Sequence, residues 1–430
     1  MSEKIAIIGL GYVGLPLAVA LAPHFKVTGF DISERRVNEL KSGHDRTNEV
    51  ESDRLKAAPL TLTARPQDIR DHDIYIVTVP TPVDRHNKPD LTPVLAACDT
   101  LGQHIGKNAL IVFESTVYPG VTEKICGPAI ERATRGSLKQ GVDFHLGYSP
   151  ERVNPGDRKN TVESITKIVS ADTPAQAERL AAIYGKINGN RIHRASSIMV
   201  AEAAKVVENA QRDINIAFIN EISNILRRLD VPTTDVLEAM ATKWNALPFK
   251  PGLVGGHCIG VDPFYLIDCA KQTGYTPNIL NSARQINDGI PSRIADELHE
   301  TLISRLPEGQ RGRILMLGLT FKEDVPDLRN SKVTDLVSTL NRHGHLVTVV
   351  DPMADPDEAY AEYDIVLSPS GMDATPYDMV VGAVAHKPYR ELSLADITRL
   401  AAPHAVIADI KGIWRKLEAE LPPTMTYWQM

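Results

Sequence analysis

Residues 4–31 have the sequence KIAIIGLGYVGLPLAVALAPHFKVTGFD, and this stretch decides the fold of the first part of the chain. An apolar run predicts a buried strand, a helix follows a glycine-rich turn, and a second strand ends at Asp31. Gly9, Gly11 and Gly14 would permit a tight turn, close approach of a pyrophosphate, and close packing of the helix on the strand. The stretch therefore predicts a dinucleotide-binding α/β domain, with a merely tight strand–helix turn as the alternative.

Asp31 also predicts which dinucleotide binds. An acid about 20 residues beyond the glycines accepts hydrogen bonds from the adenosine ribose and repels a 2′-phosphate. NAD is therefore favoured over NADP, although Arg35 and Arg36 follow closely. The helix N-terminus would supply amides and partial positive charge for the phosphates. The cofactor contacts predicted in this part of the chain are Gly9, Gly11, Tyr12, Val13, Gly14, Asp31, Arg36, Val79, Pro80, Thr81, Ser115 and Thr116.

Size and composition bound the class of protein. A chain of 430 residues suggests two or three domains, and 43% hydrophobic with 23% charged residues is typical of globular proteins. The net charge of -7 argues against nucleic acid as the main partner. No apolar run reaches the ~18–20 residues that span a bilayer, and the chain begins in a strand pattern without a signal peptide. We therefore expect a cytoplasmic protein, and no metal site is predicted.

The pattern of strands and helices predicts the domain organisation. The first third alternates between them, which indicates a parallel, doubly wound sheet. From about Ser197 to Leu229, apolar residues recur every three to four positions and predict one long helix, able to bridge two domains or form a dimer spine. A second strand–helix–strand pattern restarts at Arg313 and ends in Asp351, without the phosphate fingerprint. We expect two Rossmann-like doubly wound domains joined by a long central helix and a helical middle region, with boundaries at 1–190, 191–305 and 306–430.

The last domain is expected to hold no dinucleotide. Its predicted strands are 313–317, 345–350, 364–367, 377–384 and 405–408.

Cys258 lies in the glycine-dense run GGHCIGVDP, residues 255–263. Small neighbours leave its sulfur approachable, and a helix N-terminus, His257 or Lys205 would lower the pKa that a thiolate requires. A histidine adjacent in sequence usually points elsewhere, so His257 is not assigned as the base. A thiolate combined with a hydride acceptor predicts an oxidation that passes through a thiohemiacetal and continues to the acid. The structural alternative is a glycine-rich turn with an incidental thiol.

The other three cysteines, Cys98, Cys126 and Cys269, lie in mixed or apolar helical segments. A buried and inert thiol is the expected state of each. The chain has no Cys-x-x-Cys pair, and four thiols do not form a disulfide framework in a chain of this length.

Further polar residues stand where they can act on a substrate. Lys205 and Asn209 are four residues apart on the long helix and share one face, where an ammonium and an amide would stabilise an oxyanion. Asp262 would face the same way as Cys258 if the loop continues into a helical turn. Alone, Lys205 is equally a surface lysine.

Several polar segments follow predicted strands, at the sheet edge where ligands collect. A rigid proline turn, a helix cap or a solvated loop is the structural alternative for those of the first domain. In the second domain, cationic side chains near the first strand would bind a pyrophosphate. The alternative for each of them, taken alone, is a solvated surface charge. The segments are 79–82, 114–116, 149–156, 321–322 and 327–329.

Together these motifs resemble the UDP-sugar 6-dehydrogenases, the family of UDP-glucose and UDP-N-acetylhexosamine dehydrogenases, over essentially the whole chain. Within that family the sequence is most similar to the Vi-antigen type of UDP-N-acetylglucosamine 6-dehydrogenase. The segments that carry this similarity are ESTVYPG at 114–120, SPERVNPG at 149–156, KWN at 243–245, LPF at 247–249 and PGLVGGHC at 251–258.

The resemblance implies two successive NAD-dependent hydride transfers from the 6-hydroxyl of the sugar. It assigns Cys258 as the nucleophile that captures the aldehyde. Lys205 and Asn209 stabilise the oxyanion. Thr116 and Asp262 hold a water. Glu151 takes part in proton transfer around the thioester.

The resemblance also implies the contacts of the nucleotide sugar. Lys322 and Arg329 should hold its phosphates, and Lys322 is counted with the cofactor contacts as well. Family members are dimers through the long helix, and a partner cation, Lys250 or Arg284, would complete the sugar site. The substrate-binding residues implied are Glu151, Arg152, Val153, Lys205, Asn209, Asn245, Phe249, Lys250, Gly255, Arg284, Phe321, Lys322 and Arg329.

One departure from the family pattern bears on the substrate. UDP-glucose dehydrogenases carry a second glutamate shortly after the position of Glu151, where this chain has Pro155 or its neighbours, and Arg152 is a candidate sugar contact. The sequence therefore favours UDP-N-acetyl-D-glucosamine and a role in surface polysaccharide synthesis. UDP-N-acetylgalactosamine, UDP-N-acetylmannosamine and UDP-glucose stay open as substrates. A two-electron β-hydroxyacid dehydrogenase and an NAD-binding regulatory protein are the alternatives of another class.

Overall fold

The computed structural model describes residues 3–84, 86–153, 156–157, 159–373 and 376–430. The chain divides into two compact units. Unit 1 comprises Met1–Ala210 with Val261–Thr276, and unit 2 comprises Gln211–Gly260 with Pro277–Met430. The three segments expected from the sequence, with boundaries at 190/191 and 305/306, stay a prediction.

The strands and helices are numbered along the chain. The strands are β1 (Lys4–Ile8), β2 (Lys26–Phe30), β3 (Leu60–Thr63), β4 (Ile74–Val77), β5 (Ala109–Phe113), β6 (Phe144–Tyr148), β7 (Lys167–Ala171), β8 (Ile192–Arg194), β9 (Arg313–Leu317), β10 (Leu346–Val350), β11 (Tyr377–Gly382), β12 (Ala401–Asp409) and β13 (Thr426–Gln429). The α-helices are α1 (Gly14–Leu21), α2 (Glu34–Lys41), α3 (Ser52–Ala57), α4 (Thr92–Gly102), α5 (Gly127–Ala133), α6 (Pro174–Asn188), α7 (Ile198–Arg228), α8 (Thr233–Ala241), α9 (Asp262–Gln272), α10 (Asn278–Ile303), α11 (Lys332–Arg342), α12 (Pro356–Tyr363), α13 (Lys387–Arg390) and α14 (Leu394–Leu400).

Unit 1 is built on a sheet with the strand order β3-β2-β1-β4-β5-β6-β7-β8. β1 to β6 pair in parallel, and the strand order reverses beside β1, as in doubly wound sheets. The strands of this part are apolar on both faces, since helices cover both sides of the sheet. The sheet departs from the expected all-parallel arrangement at β7, which is antiparallel to β6.

Unit 2 contains a second, parallel sheet with the order β10-β9-β11-β12-β13. Its core packs α10 and α11 on one face and α14 on the other. The predicted α/β class with two Rossmann-like sheets and a helical middle region is confirmed.

The predicted long helix is present as α7, which has 31 residues and runs from unit 1 into unit 2. It begins where the hydroxyl of Ser197 accepts a hydrogen bond from the amide of Val200 at 3.2 Å. It ends three residues before the Val231-Pro232 dipeptide, where proline would break the helical hydrogen bonding.

The strand predicted at 364–367 is wrong. α12 ends at Tyr363, and Asp364 adopts a left-handed conformation with φ 55°. Among the described residues of this segment, Leu367 alone pairs, as an isolated parallel bridge to Val349. Val366 is 74% exposed, whereas Ile365 and Leu367 on either side of it pack against the core. A run of three apolar residues is here too short to form a strand of the sheet.

The prediction for the cysteines needs one correction. Cys98 and Cys126 are buried, and the hydrogen bond that the Cys126 thiol donates to Cys98, together with burial, raises the pKa of Cys126 well above its ordinary value. Cys269 is half-buried rather than buried.

Candidate active site

The glycine turn predicted to bind the cofactor lies in unit 1 at the carboxyl end of β1, where the strand order reverses. Gly9 has φ 96°, a conformation that favours glycine, and it follows β1 directly. A Cβ on Gly14 would lie 1.9 Å from the carbonyl oxygen of Gly9, so only glycine lets α1 pack this closely on the turn. A Cβ on Gly11 would meet no atom within 4 Å. Space is therefore left beside the turn for a pyrophosphate, and the turn fits the predicted dinucleotide.

Asp31 closes this edge at the end of β2. Its carboxylate accepts hydrogen bonds from the amides of Leu10 and Ser33, each at 2.9 Å. The half-buried side chain is thus held beside the glycine turn, as a ribose-binding acid must be.

Arg36 lies beneath the same turn. Its Nε donates to the carbonyl of Leu10 at 2.9 Å, and its Nη2 donates to Asp45 at 2.8 Å. Although burial raises the pKa of Asp45, hydrogen bonds from Thr47 and Arg36 hold it below its usual value. The Nη1 atom of Arg36 is buried without a hydrogen-bond partner among the described residues. Direct contact of Arg36 with the cofactor stays a prediction, as does the contact of Tyr12 and Val13.

Hydrogen bonds tie the ends of three neighbouring strands together. The hydroxyl of Thr78 donates to the carbonyl of Gly9 at 2.8 Å, and that of Ser115 donates to the carbonyl of Val79 at 2.6 Å. The predicted cofactor segments after β4 and β5, which include Pro80, Thr81 and Thr116, therefore share one edge of the sheet with the glycine turn.

A second group of polar side chains is buried in unit 1. Lys205 and Asn209 project from α7, Asp262 begins α9, and Glu151 follows β6; each is less than 9% exposed. Nζ of Lys205 lies 3.7 Å from Oε2 of Glu151, and Nδ2 of Asn209 donates to Oδ2 of Asp262 at 2.5 Å. Four of the six predicted catalytic residues therefore meet in one buried cluster, which we call the Lys205 cluster.

Burial decides the acidity of the carboxyls in the Lys205 cluster. It raises the pKa of Asp262 to about 6, against the opposing effects of Lys205 and the hydrogen bond from Asn209. It also raises the pKa of Glu151, although Lys205 and Lys167 oppose the shift. A carboxyl with a pKa of about 6, such as Asp262, can exchange protons near neutral pH, which general acid–base chemistry requires.

We predict that Asp262→Asn removes a pH dependence of folding stability. A carboxyl whose pKa is about 6 in the folded protein, against 3.8 ordinarily, destabilises the fold as pH rises through that window. Relative to the variant, the wild type should lose at most about 3 kcal/mol of unfolding free energy between about pH 4 and pH 8. Urea unfolding across this range measures it. Asp99→Asn, at an exposed position on α4, is the control, and parallel profiles for wild type and Asp262→Asn would refute the assignment.

The sequence did not indicate the buried ion pair below the Lys205 cluster. Lys167 on β7 donates to Glu114 at 2.6 Å and to the carbonyl of Pro150 at 3.2 Å, and the hydroxyl of Tyr184 also donates to Glu114. The pair fixes the start of the loop that carries Glu151. A lysine in the apolar context of 165–169 is the signal that would have found it.

Glu202 holds α7 to the loop after β5. Its carboxylate, fully buried, accepts from the amides of Gly120 at 2.5 Å and Thr122 at 2.9 Å. Burial raises the pKa of Glu202, partly offset by those hydrogen bonds. Because Glu202 precedes Lys205 by less than one turn, it fixes the Lys205 cluster relative to the segment of Thr116.

The loop after β6 carries the remaining predicted contacts of unit 1. The amide of Val153 donates to the carboxylate of Glu151, and Arg152 forms an ion pair with Glu208 at 3.3 Å. Asn154 and Pro155, which bear on the substrate prediction, lie outside the described residues.

In unit 2, Cys258 is half-buried in a turn that precedes α9. Nδ1 of His257 lies 3.1 Å from its Sγ, and Nε2 of the same ring lies 3.7 Å from Oδ2 of Asp327. The expectation that the adjacent histidine points away from the thiol is therefore wrong. Gly256 has φ 78°, and a Cβ there would lie 2.7 Å from the Phe321 ring, which explains why glycine stands before His257.

The loop after β9 packs against this turn. Asp327 is buried, and Arg329 donates to both of its oxygens, at 2.9 and 2.7 Å. Lys322 and Phe321 are half-buried on the same loop, and a Cβ on Gly255 would lie 2.7 Å from the carbonyl oxygen of Asn330. Unit 2 therefore brings Phe321, Lys322 and Arg329 to the loop of Cys258.

The other predicted substrate contacts of unit 2 differ in exposure. Asn245 and Lys250 are exposed and Phe249 is half-buried. Arg284 is 3% exposed and pairs with Asp213 of its own chain at 2.5 Å.

Asp351 ends β10 as Asp31 ends β2, but it is used differently. Its side chain is fully buried, accepts from the amides of Leu319 and Thr320, and lies 3.0 Å from Nε2 of His386. Burial raises its pKa, but the hydrogen bonds and charge of His386 and the amides lower it to about 2. This carboxylate is therefore not available to a ribose hydroxyl. That the second sheet holds no dinucleotide stays a prediction.

The predicted residues thus form two groups. The cofactor residues of the glycine turn and the Lys205 cluster belong to unit 1, and the thiol with the phosphate-binding candidates belongs to unit 2. Their joining in one site stays a prediction.

Among the described residues, no group of three or more histidine, cysteine or acidic side chains is arranged to hold a metal ion. Nor does any described helix combine the length and apolar character needed to cross a membrane.

Models of three domains of one family match the chain. They are the NAD binding domain of the UDP-glucose/GDP-mannose dehydrogenase family over residues 3–188, its central domain over 199–289 and its UDP binding domain over 315–416. The chain belongs to the UDP-glucose/GDP-mannose dehydrogenase family. The predictions of this family, of an NAD-dependent oxidoreductase and of a UDP-sugar as the substrate class are confirmed.

Individual relatives are similar over nearly the whole chain. Protein CapL of Staphylococcus aureus is 47% identical over 413 residues, which cover 96% of both chains. UDP-N-acetyl-D-glucosamine 6-dehydrogenase of Pseudomonas aeruginosa is 45% identical over 420 residues, 97% of this chain and 99% of that one. A solved structure of UDP-D-ManNAc dehydrogenase from Pyrococcus horikoshii is 28% identical, has a TM-score of 0.88 and covers 99% of this chain and 98% of that one.

Proposed function

We propose that the protein oxidises the 6-hydroxyl of UDP-N-acetyl-D-glucosamine to the carboxylic acid, for surface polysaccharide synthesis. The observation that carries the substrate is the full-length similarity to a dehydrogenase of that name. A cytoplasmic location belongs to the same proposal.

The Lys205 cluster supports the first half of the reaction. Oxidation of the alcohol removes a hydride and a proton, and an alkoxide forms on the way. Lys205 and Asn209 supply the ammonium and amide that stabilise this oxyanion in a buried site, where such contacts are strong. NAD, when bound at the glycine turn, accepts the hydride.

The thiol of Cys258 supports the second half. Its thiolate adds to the aldehyde, and the resulting oxyanion is protonated to give the thiohemiacetal, the tetrahedral adduct from which a second hydride can leave. The product is a thioester. Water held by Thr116 and Asp262 cleaves its carbon–sulfur bond, with Glu151 moving the proton, and releases the acid and the thiolate. One alcohol, one water and two NAD⁺ thus yield one acid, two NADH and two protons.

The stoichiometry of the reaction tests this proposal. With limiting UDP-N-acetyl-D-glucosamine and excess NAD, we expect two NADH per sugar and an acidic product, measured by absorbance and mass spectrometry. One NADH per sugar would mean that the reaction stops at the aldehyde. The galacto and manno epimers and UDP-glucose, assayed in parallel, decide the substrate, and no NADH with any of them would leave the regulatory alternative.

We also propose that the protein is a homodimer through α7. Five apolar side chains on this helix and at its end are between 47% and 64% exposed. Their separations of 7, 11, 7 and 4 residues are close to whole numbers of helical turns, so they form one narrow stripe. A second copy of the same helix would bury it. The stripe comprises Val200, Val207, Phe218, Ile225 and Leu229.

Light scattering of the purified protein tests the dimer. We expect twice the mass of the chain, and Phe218→Glu should shift the protein toward monomer, because a buried charge would stand in the middle of the stripe. A wild-type monomer at micromolar concentration would refute the assignment.

A further inference from the structure

The loop that carries Cys258 is held at two glycines by asparagines far away in sequence, and we call each of these attachments a clamp. At the first, Gly252, the side-chain amide of Asn220 makes both possible backbone hydrogen bonds. Its Oδ1 accepts from the amide of Gly252 at 2.8 Å, and its Nδ2 donates to the carbonyl of the same residue at 3.1 Å. Two opposed hydrogen bonds to one residue fix its position and its orientation together.

A buried relay fixes the orientation of Asn220 in turn. Its Nδ2 also donates to Oδ1 of Asn287 at 2.8 Å, and Asn287 donates to the backbone and side-chain oxygens of Asp213 at 2.9 and 2.7 Å. Arg284 donates to the same carboxylate at 2.5 Å. These four side chains are at most 3% exposed. The Asn220 amide group thus has two defined acceptors, the carbonyl of Gly252 and Oδ1 of Asn287, and it cannot flip without leaving these buried groups unpaired.

This relay gives Arg284 a place inside its own subunit. Burial raises the pKa of Asp213, opposed by the charge of Arg284 and the hydrogen bond from Asn287. Arg284 thus stabilises the carboxylate at the end of the relay.

The second point of attachment is Gly256, two residues before Cys258. Its amide donates to the backbone carbonyl of Asn330 at 3.2 Å, and Nδ2 of Asn330 donates to the carbonyl of Gly256 at 3.0 Å. Asn330 has φ 52°, which asparagine and aspartate tolerate better than other side chains. A Cβ on Gly260 would lie 2.9 Å from the same Nδ2, so Asn330 is enclosed by the loop.

In both clamps an asparagine pairs with the N–H and the C=O of a single glycine. Asn220 uses its side chain for both hydrogen bonds, and Asn330 uses its backbone carbonyl and its side-chain amide. Helix packing between α7 and α10 needs no such arrangement, since apolar contacts would serve there at no desolvation cost. The clamps stand on either side of 253–255, and Cys258 follows the second clamp by two residues.

We propose that Asn220 and Asn330 are positioning residues that hold the Cys258 loop in the geometry required for attack on the aldehyde. This inference rests on the proposed function, in which Cys258 is the nucleophile. A displacement of about 1 Å at a reacting atom can cost on the order of 10²-fold in rate. The clamps therefore act on kcat rather than on the binding of the nucleotide sugar.

Two variants and one control test the inference. Asn220→Ala removes the first clamp, and Asn330→Asp keeps the shape and backbone conformation but removes the donor to Gly256. Asn224→Ala, on the same helix one turn further on, is the control. We expect kcat for NADH formation to fall about 10- to 100-fold with KM for the sugar nucleotide within about threefold. Amide hydrogen exchange at 253–260 should become at least tenfold faster, and the control should match the wild type.

The two readouts separate the possible failures. Unchanged loop exchange and unchanged kcat in a folded variant would overturn the inference, as would a rise in KM alone. A wild type that makes no NADH with any UDP-sugar would overturn the proposed function. Faster amide hydrogen exchange at 253–260 in the variants would still show that the two asparagines hold the loop. If Asn220→Ala does not fold, Asn330→Asp at its half-buried position decides the question.

Discussion

Cys258→Ser is expected to lower the rate of acid formation by at least about 10³-fold, because a serine hydroxyl is a far weaker nucleophile than a thiolate near neutral pH. The second hydride can leave only from a tetrahedral adduct, so the variant should stall at the aldehyde oxidation level. The substitution changes one atom and keeps the size of the side chain. Loss of activity can therefore be assigned to the chemistry of the thiol rather than to the packing of its glycine-rich turn.

NADH release and the mass of the sugar product measure this effect. Cys269→Ser is the matched control, since Cys269 is also a half-buried cysteine outside any disulfide but belongs to α9 of unit 1. We expect it to retain wild-type activity. If Cys258→Ser formed acid at a rate within about threefold of the wild type, the thiol would have no covalent role. A two-electron dehydrogenase of the β-hydroxyacid kind would behave in that way.

Lys205→Met should reduce kcat by about 10²- to 10³-fold, the range typical of removing one buried group that stabilises an oxyanion. The long side chain is kept, but the ammonium that lies 3.7 Å from Glu151 is lost. Lys205 also opposes the rise in pKa of both Glu151 and Asp262. Without it, both carboxyls should stay protonated to higher pH. The acidic limb of the pH–rate profile is therefore expected to move toward higher pH.

Steady-state rates across the pH range measure both effects. Lys186→Met, at an exposed position of α6, controls for the loss of a surface charge. The affinity for NAD should change little, because the glycine turn after β1 and Asp31 are untouched. A variant with an unchanged kcat and an unchanged pH profile would show that Lys205 is only a buried partner of Glu151.

Local patterns accounted for most of the fold that the sequence predicted. The glycine turn after β1, the acid at the end of β2 and the 3.6-residue period of α7 depend on neighbours within about a helical turn or one strand. The same reasoning failed at 364–367, where a run of three apolar residues looked like a strand. A left-handed residue at Asp364 ends α12 there and turns Val366 toward solvent.

The same local reasoning did not predict where individual side chains point. A general rule placed the ring of His257 away from Cys258, whereas the imidazole lies 3.1 Å from the sulfur. The turn conformation at Gly256, with φ 78°, is part of the backbone path that brings the two together. Backbone dihedrals of loops are set by packing, here against Phe321, and leave no periodic signal in the sequence.

The sequence by itself determined the cofactor-binding edge of the first sheet, the two Rossmann-like sheets and the residues capable of catalysis or binding. These follow from residue type and short-range spacing. Only the tertiary structure decided their partners. Lys167 with Glu114, Glu202 with Gly120 and Asn220 with Gly252 are 53, 82 and 32 residues apart. Burial makes such pairs obligatory, because an unpaired polar group away from water costs free energy, but which buried group pairs with which is fixed only when the chain is packed.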